Sequence, residues 1–288
     1  MGTGTARVAR VRAAERAAGD RPSQDRVVLL PSAVAVLDGA SAVDASARDG
    51  GWYAEVLAEE LAARLESDLD LRTVLADAIS AVTTRHRLVP GGSPSSTVTV
   101  LRWGPEVLEG LVLGDSPLVV VHRDGRVEVV VDERLQTVAP AQRVAYHDRL
   151  AAGGGYDDGH RDLLRALVGE QRRHRNAPGG YWIAEASPAA AREALVRRWS
   201  TSDVTVALLA SDGVSRGLGH PFDGWPALVA VATTAGPQAV LDAVRAAEDA
   251  DPDGARWARS KRHDDQALVL VDWPDRPGRS PAPEPAGA

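Results

Sequence analysis

Apolar, β-rich runs that each end at an aspartate constrain this chain more than any other feature of its sequence. Ala33–Leu37 leads directly into Asp38, and the nearly continuous apolar run Val204–Ala210 is followed by Ser211 and Asp212. Runs of this kind predict strands that are buried in a sheet. Because a sheet is rigid, the ends of several strands can present their carboxylates to one point. The sequence therefore predicts a layered sheet fold with acids gathered at strand ends.

The spacing of apolar residues predicts helices first and then a group of strands. Helical spacing marks Trp52–Leu65 and Leu71–Leu88, and Pro90-Gly91-Gly92 stops the second helix. The period then changes, and short apolar segments separated by turns predict an antiparallel meander. These segments are Thr97–Leu101, Val107–Leu113, Leu118–His122 and Val127–Val131.

The remaining segments complete a mixed order of elements. The order is neither a regular βαβ alternation nor all-β, and it predicts an α+β fold in which helices cover antiparallel sheets. We expect one domain over residues 1–273 and a disordered tail, rich in Pro, Gly and Ala, over residues 274–288. Further strands are predicted at Thr5–Ala14, Val27–Leu30, Ala33–Leu37, Tyr181–Glu185, Val204–Ala210 and Gln266–Asp272, and further helices within 140–175 and at Trp225–Thr234 and Pro237–Asp249.

Composition excludes several classes of protein. The chain has no cysteine, which excludes disulfides and Cys nucleophiles. Its net charge of -7 does not favour a nucleic-acid partner. No segment is long enough to span a bilayer, and the Arg-rich N-terminus lacks the apolar core of a secretory signal. A cytoplasmic monomer without nucleic-acid or membrane partners is expected. A nucleotide-binding enzyme is disfavoured, because neither glycine-rich phosphate-binding motif is present.

The acidic signatures indicate a functional site only when they are taken together. Asp38-Gly39, Asp115 and Asp212-Gly213, each taken alone, are typical of turns, and Asp264-Asp265 could be a solvated edge. Carboxylates that gather at one point repel each other unless hard cations neutralise them. The joint pattern therefore predicts a metal centre made of oxygen ligands.

In order and spacing, these motifs resemble the metal-dependent protein phosphatase family, which comprises the 2C-type serine/threonine phosphatases and their bacterial relatives. The resemblance runs from about Ala6 to Trp273. It implies an α/β/β/α sandwich of two antiparallel sheets flanked by helices. The motifs that carry it are Arg21-Pro22-Ser23-Gln24-Asp25, Val36-Leu37-Asp38-Gly39, Ser95-Ser96-Thr97, Leu113-Gly114-Asp115-Ser116, Leu209-Ala210-Ser211-Asp212-Gly213 and Asp264-Asp265-Gln266-Ala267.

The same resemblance implies a reaction and a partner. It implies hydrolysis of phosphoserine or phosphothreonine in protein substrates by a hydroxide that bridges two Mn²⁺ or Mg²⁺ ions. Asp38 would bridge the metals and Gly39 would supply its carbonyl oxygen. Asp212 and Asp264 would complete the shell of the other ion, which makes Asp38, Asp212 and Asp264 the predicted catalytic residues.

Other residues receive supporting roles from the resemblance. Asp25 would orient ligands or waters, and Asp115 would lie at an outer or third metal. Arg21 is the predicted phosphate clamp, since a guanidinium can bind two phosphate oxygens at once. Asp265 is the alternative to Asp264, in an outer position. His263 is expected to be a surface residue, with contact to a leaving group as its functional alternative.

Several positions depart from the family pattern. Ser41 stands in place of a glycine, Gln24 in place of Glu and Pro117 in place of Arg, and Arg216 stands where many relatives have Asp. With an acid replaced by a cation, we expect a third metal site to be weak or absent. These departures keep a second hypothesis open, in which the chain is a catalytically weak or inactive binding or regulatory module on the same fold.

The basic run Arg172-Arg173-His174-Arg175 also has two interpretations. A solvated helix face is the simpler one. A phosphopeptide-binding patch is the functional one, because the variable flap of the family is expected over Asn176–Glu185. Tyr181 and Trp182 are expected in the core.

Overall fold

The computed structural model describes residues 8–40 and 48–274, and their strands form two five-stranded antiparallel sheets. The first sheet has the order β1 (Arg10–Arg16), β10 (Gln266–Asp272), β9 (Val204–Ala210), β6 (Leu118–His122) and β7 (Val127–Val130). The second has the order β2 (Asp25–Leu29), β3 (Ala33–Asp38), β4 (Val98–Trp103), β5 (Val107–Leu113) and β8 (Leu195–Ser200). The α+β class is confirmed.

Helices cover both outer faces of this sandwich. The pair α1 (Gly50–Ala62) and α2 (Leu71–His86) packs on the second sheet, and the pair α7 (Gly224–Ala235) and α8 (Pro237–Asp249) packs on the first. The predicted α/β/β/α layering is therefore present. No helix in the described part of the chain is long and apolar enough to cross a membrane. The other helices are α3 (Arg134–Thr137), α4 (Pro140–Ala151), α5 (Asp158–Arg173), α6 (Asp212–Ser215) and a 3₁₀ turn at Pro188–Glu193.

Strand β3 explains why the runs that lead to the acids are apolar throughout. Ala35 and Leu37 point towards α1 and α2, whereas Val34 and Val36 point into the space between the sheets. All four side chains are fully buried. Successive residues of a strand face opposite sides, so a strand covered on both sides needs an apolar residue at every position. Burial of each Val or Leu contributes about 1.5–3 kcal/mol, and this fixes β3 beneath Asp38.

The predicted strand Tyr181–Glu185 is wrong. This segment makes only isolated bridges, between Arg175 and Tyr181 and between Ser96 and Ala184. Tyr181 and Ile183 pack instead in a cluster with side chains of α4 and α5. The segment is apolar because it is buried under these helices, as was expected of Tyr181, and not because it pairs in a sheet.

Sequence reasoning also missed strand β8, which pairs with β5 at the edge of the second sheet. Two of its residues, Arg197 and Arg198, are exposed. Edge strands commonly carry charged residues, and these charges interrupt the apolar alternation that would have revealed the strand. Of the predicted strand Thr5–Ala14, residues 5–7 lie outside the described part of the chain, as do residues 275–288 of the predicted tail.

A buried arginine organises the long connection between α8 and β10. Arg259 pairs with Asp251 (Nη1 to Oδ2, 3.0 Å) and donates hydrogen bonds to the carbonyl oxygens of Glu248, Asp251, Trp257 and Arg262. Its guanidinium also lies 5.0 Å from the Trp257 ring centroid. Segment 251–264 contains neither helix nor strand, so these bonds satisfy backbone groups that secondary structure would otherwise satisfy. They fix the connection that leads to Asp264.

Replacing this arginine should destabilise the protein. Arg259→Ala leaves Asp251 as a buried carboxylate without its cation, and breaking such a pair costs about 3–5 kcal/mol. Equilibrium unfolding in urea measures the loss. Arg256→Ala is the matched control, because Arg256 lies in the same connection and is exposed. Equal unfolding free energies for the two variants would contradict this role of Arg259.

Candidate active site

The described acids of the predicted site lie at one end of the sandwich. Asp25 at the start of β2 is directly opposite Asp38 at the end of β3. Asp212 follows β9 and Asp264 precedes β10, and these two strands are antiparallel neighbours. The backbone N–H of Asp212 donates to Oδ2 of Asp38 at 3.3 Å, which links the two sheets. Asp115, in the turn between β5 and β6, lines the same pocket as Asp38 and Asp212.

The Ser95-Ser96-Thr97 motif holds the backbone of Asp38. The carbonyl oxygen of Asp38 accepts hydrogen bonds from the Thr97 N–H (2.9 Å) and from Ser96 Oγ (3.0 Å). The N–H of Asp38 donates to Thr97 Oγ1 at 3.2 Å, and this hydroxyl also bonds Ser116 Oγ at 2.6 Å. These residues position the acid and do not themselves supply charge to the site.

Three of the acids stay poorly compensated. Burial raises the pKa of Asp38 well above its usual range, and the neighbouring carboxylates of Asp212 and Asp25 raise it further. Burial likewise raises the pKa of Asp25, whose Oδ2 is buried without a hydrogen-bond partner. Burial and the charge of Asp212 raise the pKa of Asp115 to about 6. Ionisation of Asp38, Asp25 or Asp115 in the folded protein therefore costs free energy.

The other two acids have cationic partners within the chain. Arg216 bonds Asp212 through Nη2 and bonds Oδ2 of Asp264 through Nη1 at 3.1 Å. Lys261 Nζ lies 2.6 Å from Oδ1 of Asp264. Burial alone would raise the pKa of Asp264, but these two cations lower it below its ordinary value. Burial alone would lower the pKa values of Arg216 and Lys261, but the nearby carboxylates raise both.

These side chains, as arranged, do not fit the predicted two-metal centre. Asp38 and Asp25 have the uncompensated charge that a hard cation would neutralise. Asp212 and Asp264, however, already pair with Arg216 and Lys261. Within residues 8–40 and 48–274, no group of three or more Asp, Glu or His side chains could hold a metal ion.

A pocket of about 250 Å³ opens above the acids. Its wall is formed by α4, α5 and the segment after α5, and it contains both charged and apolar side chains. Arg175 reaches into this wall, donating to the carbonyl oxygen of Ser93 (3.1 Å) and to Ser95 Oγ (3.2 Å). The Nε atoms of Arg175 and Arg143 are buried without a hydrogen-bond partner. The cations that line the pocket are Arg143, Arg172, Arg175, Arg216 and Lys261.

Two other predicted positions lie near the pocket in different ways. Gly39 is buried and lines it beside Asp38. A Cβ at Gly39 would lie 2.4 Å from the carbonyl carbon of Gly50, so this close approach of β3 to the start of α1 requires glycine. Arg21 is exposed and is not among the residues that line the pocket. Its role as a phosphate clamp stays a prediction.

The remaining candidates make contacts outside the pocket. Both carboxylate oxygens of Asp265 accept backbone N–H groups, from Ala18 (2.7 Å) and from Gln24 (3.1 Å). The side chain of Gln24 donates to Asp49 at 3.1 Å. His263 bonds Asp249 at 2.9 Å. Ser41 lies outside the described residues.

Sequence reasoning missed two of the five cations that line the pocket with the acids, Lys261 and Arg143. Lys261 belongs to no motif, and its position three residues before Asp264 was the only signal. Arg143 lies on α4 and gave no signal. For Arg175, the interpretation as part of a solvated helix face is wrong, because it lies just beyond the end of α5 and its side chain is mostly buried. In the same run, Arg172 and Arg173 are exposed, as that interpretation expects. The interpretation of this run as a phosphopeptide-binding patch stays a prediction.

Removing the charge of Asp38 should stabilise the protein in the absence of metal. A carboxyl whose pKa is raised on folding favours the folded state at low pH, and this contribution is lost as pH rises through the folded pKa. Asn carries no charge at any pH, so Asp38→Asn avoids this loss of stability. A gain of about 1 kcal/mol in the free energy of unfolding raises Tm by about 2–4 °C. Thermal unfolding in EDTA at pH 5 and pH 8 tests this, and the gain should be larger at pH 8. Asp68→Asn, at an exposed acid, is the control; a lower Tm for Asp38→Asn at pH 8 would contradict the expectation.

Comparison with known proteins supports the resemblance. The family model described as Protein phosphatase 2C matches residues 14–152. Among solved structures, PppA of Pseudomonas aeruginosa, described as a key regulatory component of T6SS, is similar with a TM-score of 0.56 and 16% identity, over 93% of this chain and 98% of that one. The Mycobacterium tuberculosis serine/threonine phosphatase PstP/Ppp is similar with a TM-score of 0.54 and 17% identity, over 92% and 98%.

A further structure, the catalytic domain of PstP in complex with 2 manganese ions, is similar with a TM-score of 0.52 and 16% identity, over 92% and 98%. No curated protein sequence is similar enough to count as a match. At these identities the solved structures show the fold alone. Together with the family model they confirm the resemblance drawn from the motifs: residues 14–152 match the 2C-type protein phosphatase family, and the described chain shares the fold of these solved phosphatases.

Proposed function

We propose that this chain hydrolyses phosphoserine and phosphothreonine in proteins. One observation carries the proposal: acids from the ends of strands in both sheets line one pocket together with several arginines. The motif order and the fold support it. The proposal includes phosphorylated proteins as substrates, one domain over residues 1–273, a monomer and a cytoplasmic location.

The pocket wall suits a phosphorylated side chain. Arginine binds phosphate through paired N–H groups, and Arg143 and Arg175 both line the pocket. Arg172 adds an exposed positive charge at the same pocket. Leu164, Leu167 and Val168, among others, give the wall an apolar part for the rest of the substrate.

Dependence on Mn²⁺ or Mg²⁺, with two ions at Asp38, Gly39, Asp212 and Asp264, belongs to the same proposal. It is supported by the motif resemblance and by the two manganese ions of the PstP structure. Because Asp212 and Asp264 are paired with Arg216 and Lys261 as arranged, binding of both ions would require these pairs to open.

Hydrolysis of a phosphothreonine peptide and of p-nitrophenyl phosphate tests the function. The wild type should release phosphate with Mn²⁺ or Mg²⁺, and Asp38→Asn should lower the rate by at least about 100-fold, since changes around metal ligands already cost about 10–100-fold. Asp68→Asn should keep the wild-type rate, because Asp68 is exposed and is not among the residues that line the pocket. A folded wild type without activity in either metal, or an unchanged rate for Asp38→Asn, would sink the proposal.

A second function is favoured by one specific observation, the pairing of Arg216 and Lys261 with Asp212 and Asp264. With these two acids neutralised, the chain would be a non-catalytic module that binds phosphopeptides or has a regulatory role. Fluorescence anisotropy with a labelled phosphothreonine peptide discriminates the two functions. Binding that Arg143→Ala weakens, with no phosphate released, would support the module.

A further inference from the structure

The geometry of α6 places Arg216 where it can span two acids. Arg216 follows Asp212 by four residues, and side chains at this spacing lie on the same face of a helical turn. Its N–H donates to the carbonyl oxygen of Asp212 at 2.9 Å, which closes the turn. Its guanidinium then bonds Asp212 with one nitrogen and Asp264 with the other. The second nitrogen also donates to Ser260 Oγ at 2.6 Å.

Lys261 completes the neutralisation of Asp264. Its ammonium group contacts Oδ1 of Asp264, whereas Arg216 contacts Oδ2, so both oxygens of this carboxylate face a cation. Oδ1 also accepts the N–H of Asp265 at 3.0 Å. Little lone-pair capacity remains on Asp264 for a metal ion.

Protein contacts order the connection that carries Lys261 and Asp264. Arg259 holds segment 251–264 through the hydrogen bonds described above. Arg245 on α8 donates to the carbonyl oxygen of Asp264 at 2.9 Å. The backbone on which Asp264 stands therefore has its own support, and the two cations supply the charge that keeps Asp264 next to Asp212.

We infer that Arg216, assisted by Lys261, takes the place of the ion that Asp212 and Asp264 would share. A guanidinium and a divalent ion cannot occupy the same pair of carboxylates, because both need the same lone pairs and they repel each other. The chain thus has a resident cation in one half of its site. Asp38 and Asp25, which form no ion pair within the described residues, are left as the other half. The inference rests on the proposed function for the identity of the site, and it revises the metal requirement of that proposal from two ions to at most one.

Counting bound ions tests the inference. Native mass spectrometry and isothermal titration calorimetry with MnCl₂, on protein stripped with EDTA, should find at most one Mn²⁺ per wild-type chain. The double variant Arg216→Gln/Lys261→Gln should bind one ion more than the wild type. Its Tm without metal should be below that of the wild type and should recover when Mn²⁺ is added, because the ion replaces the missing charges.

Arg64→Gln is the matched control, since Arg64 forms an i,i+4 pair with Glu60 at 2.5 Å on a different part of the surface. It should leave the number of bound ions unchanged. Two ions on the wild-type chain would overturn the inference, as would a folded double variant that binds no more Mn²⁺ than the wild type. Should the double variant fail to fold, the single variant Arg216→Gln and the wild-type count decide in the same way.

The result of ion counting can be distinguished from the result of the activity assay. A wild type that binds at most one ion and hydrolyses no phosphoester, alongside a double variant that gains an ion, would refute the proposed hydrolysis and leave the inference intact. A wild type that binds two ions and hydrolyses phosphothreonine would support the proposed function and refute the inference.

Discussion

Repulsion among carboxylates at one end of the sandwich is the constraint to which the rest of the site responds. The antiparallel strand ends bring Asp25, Asp38, Asp212 and Asp264 into one region that is largely shielded from water. Such charges must be protonated, hydrogen-bonded or paired with cations. The chain uses each solution at a different acid: the pKa values of Asp25 and Asp38 are raised, the oxygens of Asp265 accept backbone N–H groups, and Asp212 and Asp264 pair with Arg216 and Lys261.

Close backbone packing keeps these charges together. A Cβ on Gly213 would lie 1.9 Å from the carbonyl oxygen of Asp265, so the turn after β9 fits directly against the lead-in to β10. Asp265 in turn is tied to the backbone of Ala18 and Gln24, ahead of Asp25. The acids therefore cannot move apart to relieve their repulsion without disturbing both sheets. Arg216 and Lys261 relieve the repulsion without such a movement.

Prediction from sequence succeeded where one local pattern determined the structure. Runs such as Val204–Ala210 are apolar at nearly every position because both faces are covered, and β9 has these bounds. Strand β8 was missed because it is defined by pairing with β5 at the edge of the sheet and not by burial. Tyr181–Glu185 was misassigned because burial under α4 and α5 gives the same composition as a strand. Local periodicity does not distinguish these two kinds of burial.

In the site, too, the features set by local sequence were predicted and those set by tertiary contacts were not. The order of the motifs predicted that acids distant in the chain would meet, because strand ends and turns are local features. It did not predict Lys261, which belongs to no motif, or Arg143, because a cation on a covering helix leaves no local pattern. Arg216 was noticed as a departure from the family, but its pairing with Asp264 depends on how the 251–264 connection folds. Tertiary contacts of this kind have no signature in spacing.

Replacement of a divalent ion by a guanidinium changes what the same strand ends can do. Both cations offset the charge of carboxylates and both attract phosphoryl oxygens. Only the metal ion lowers the pKa of a bound water enough to make hydroxide available near neutral pH. A guanidinium in this position can therefore hold the acids together and attract a phosphoryl oxygen, but it does not generate hydroxide. Whether hydrolysis survives then depends on Asp38 and Asp25, the acids that the chain leaves without a cation of its own in the part that the structure describes.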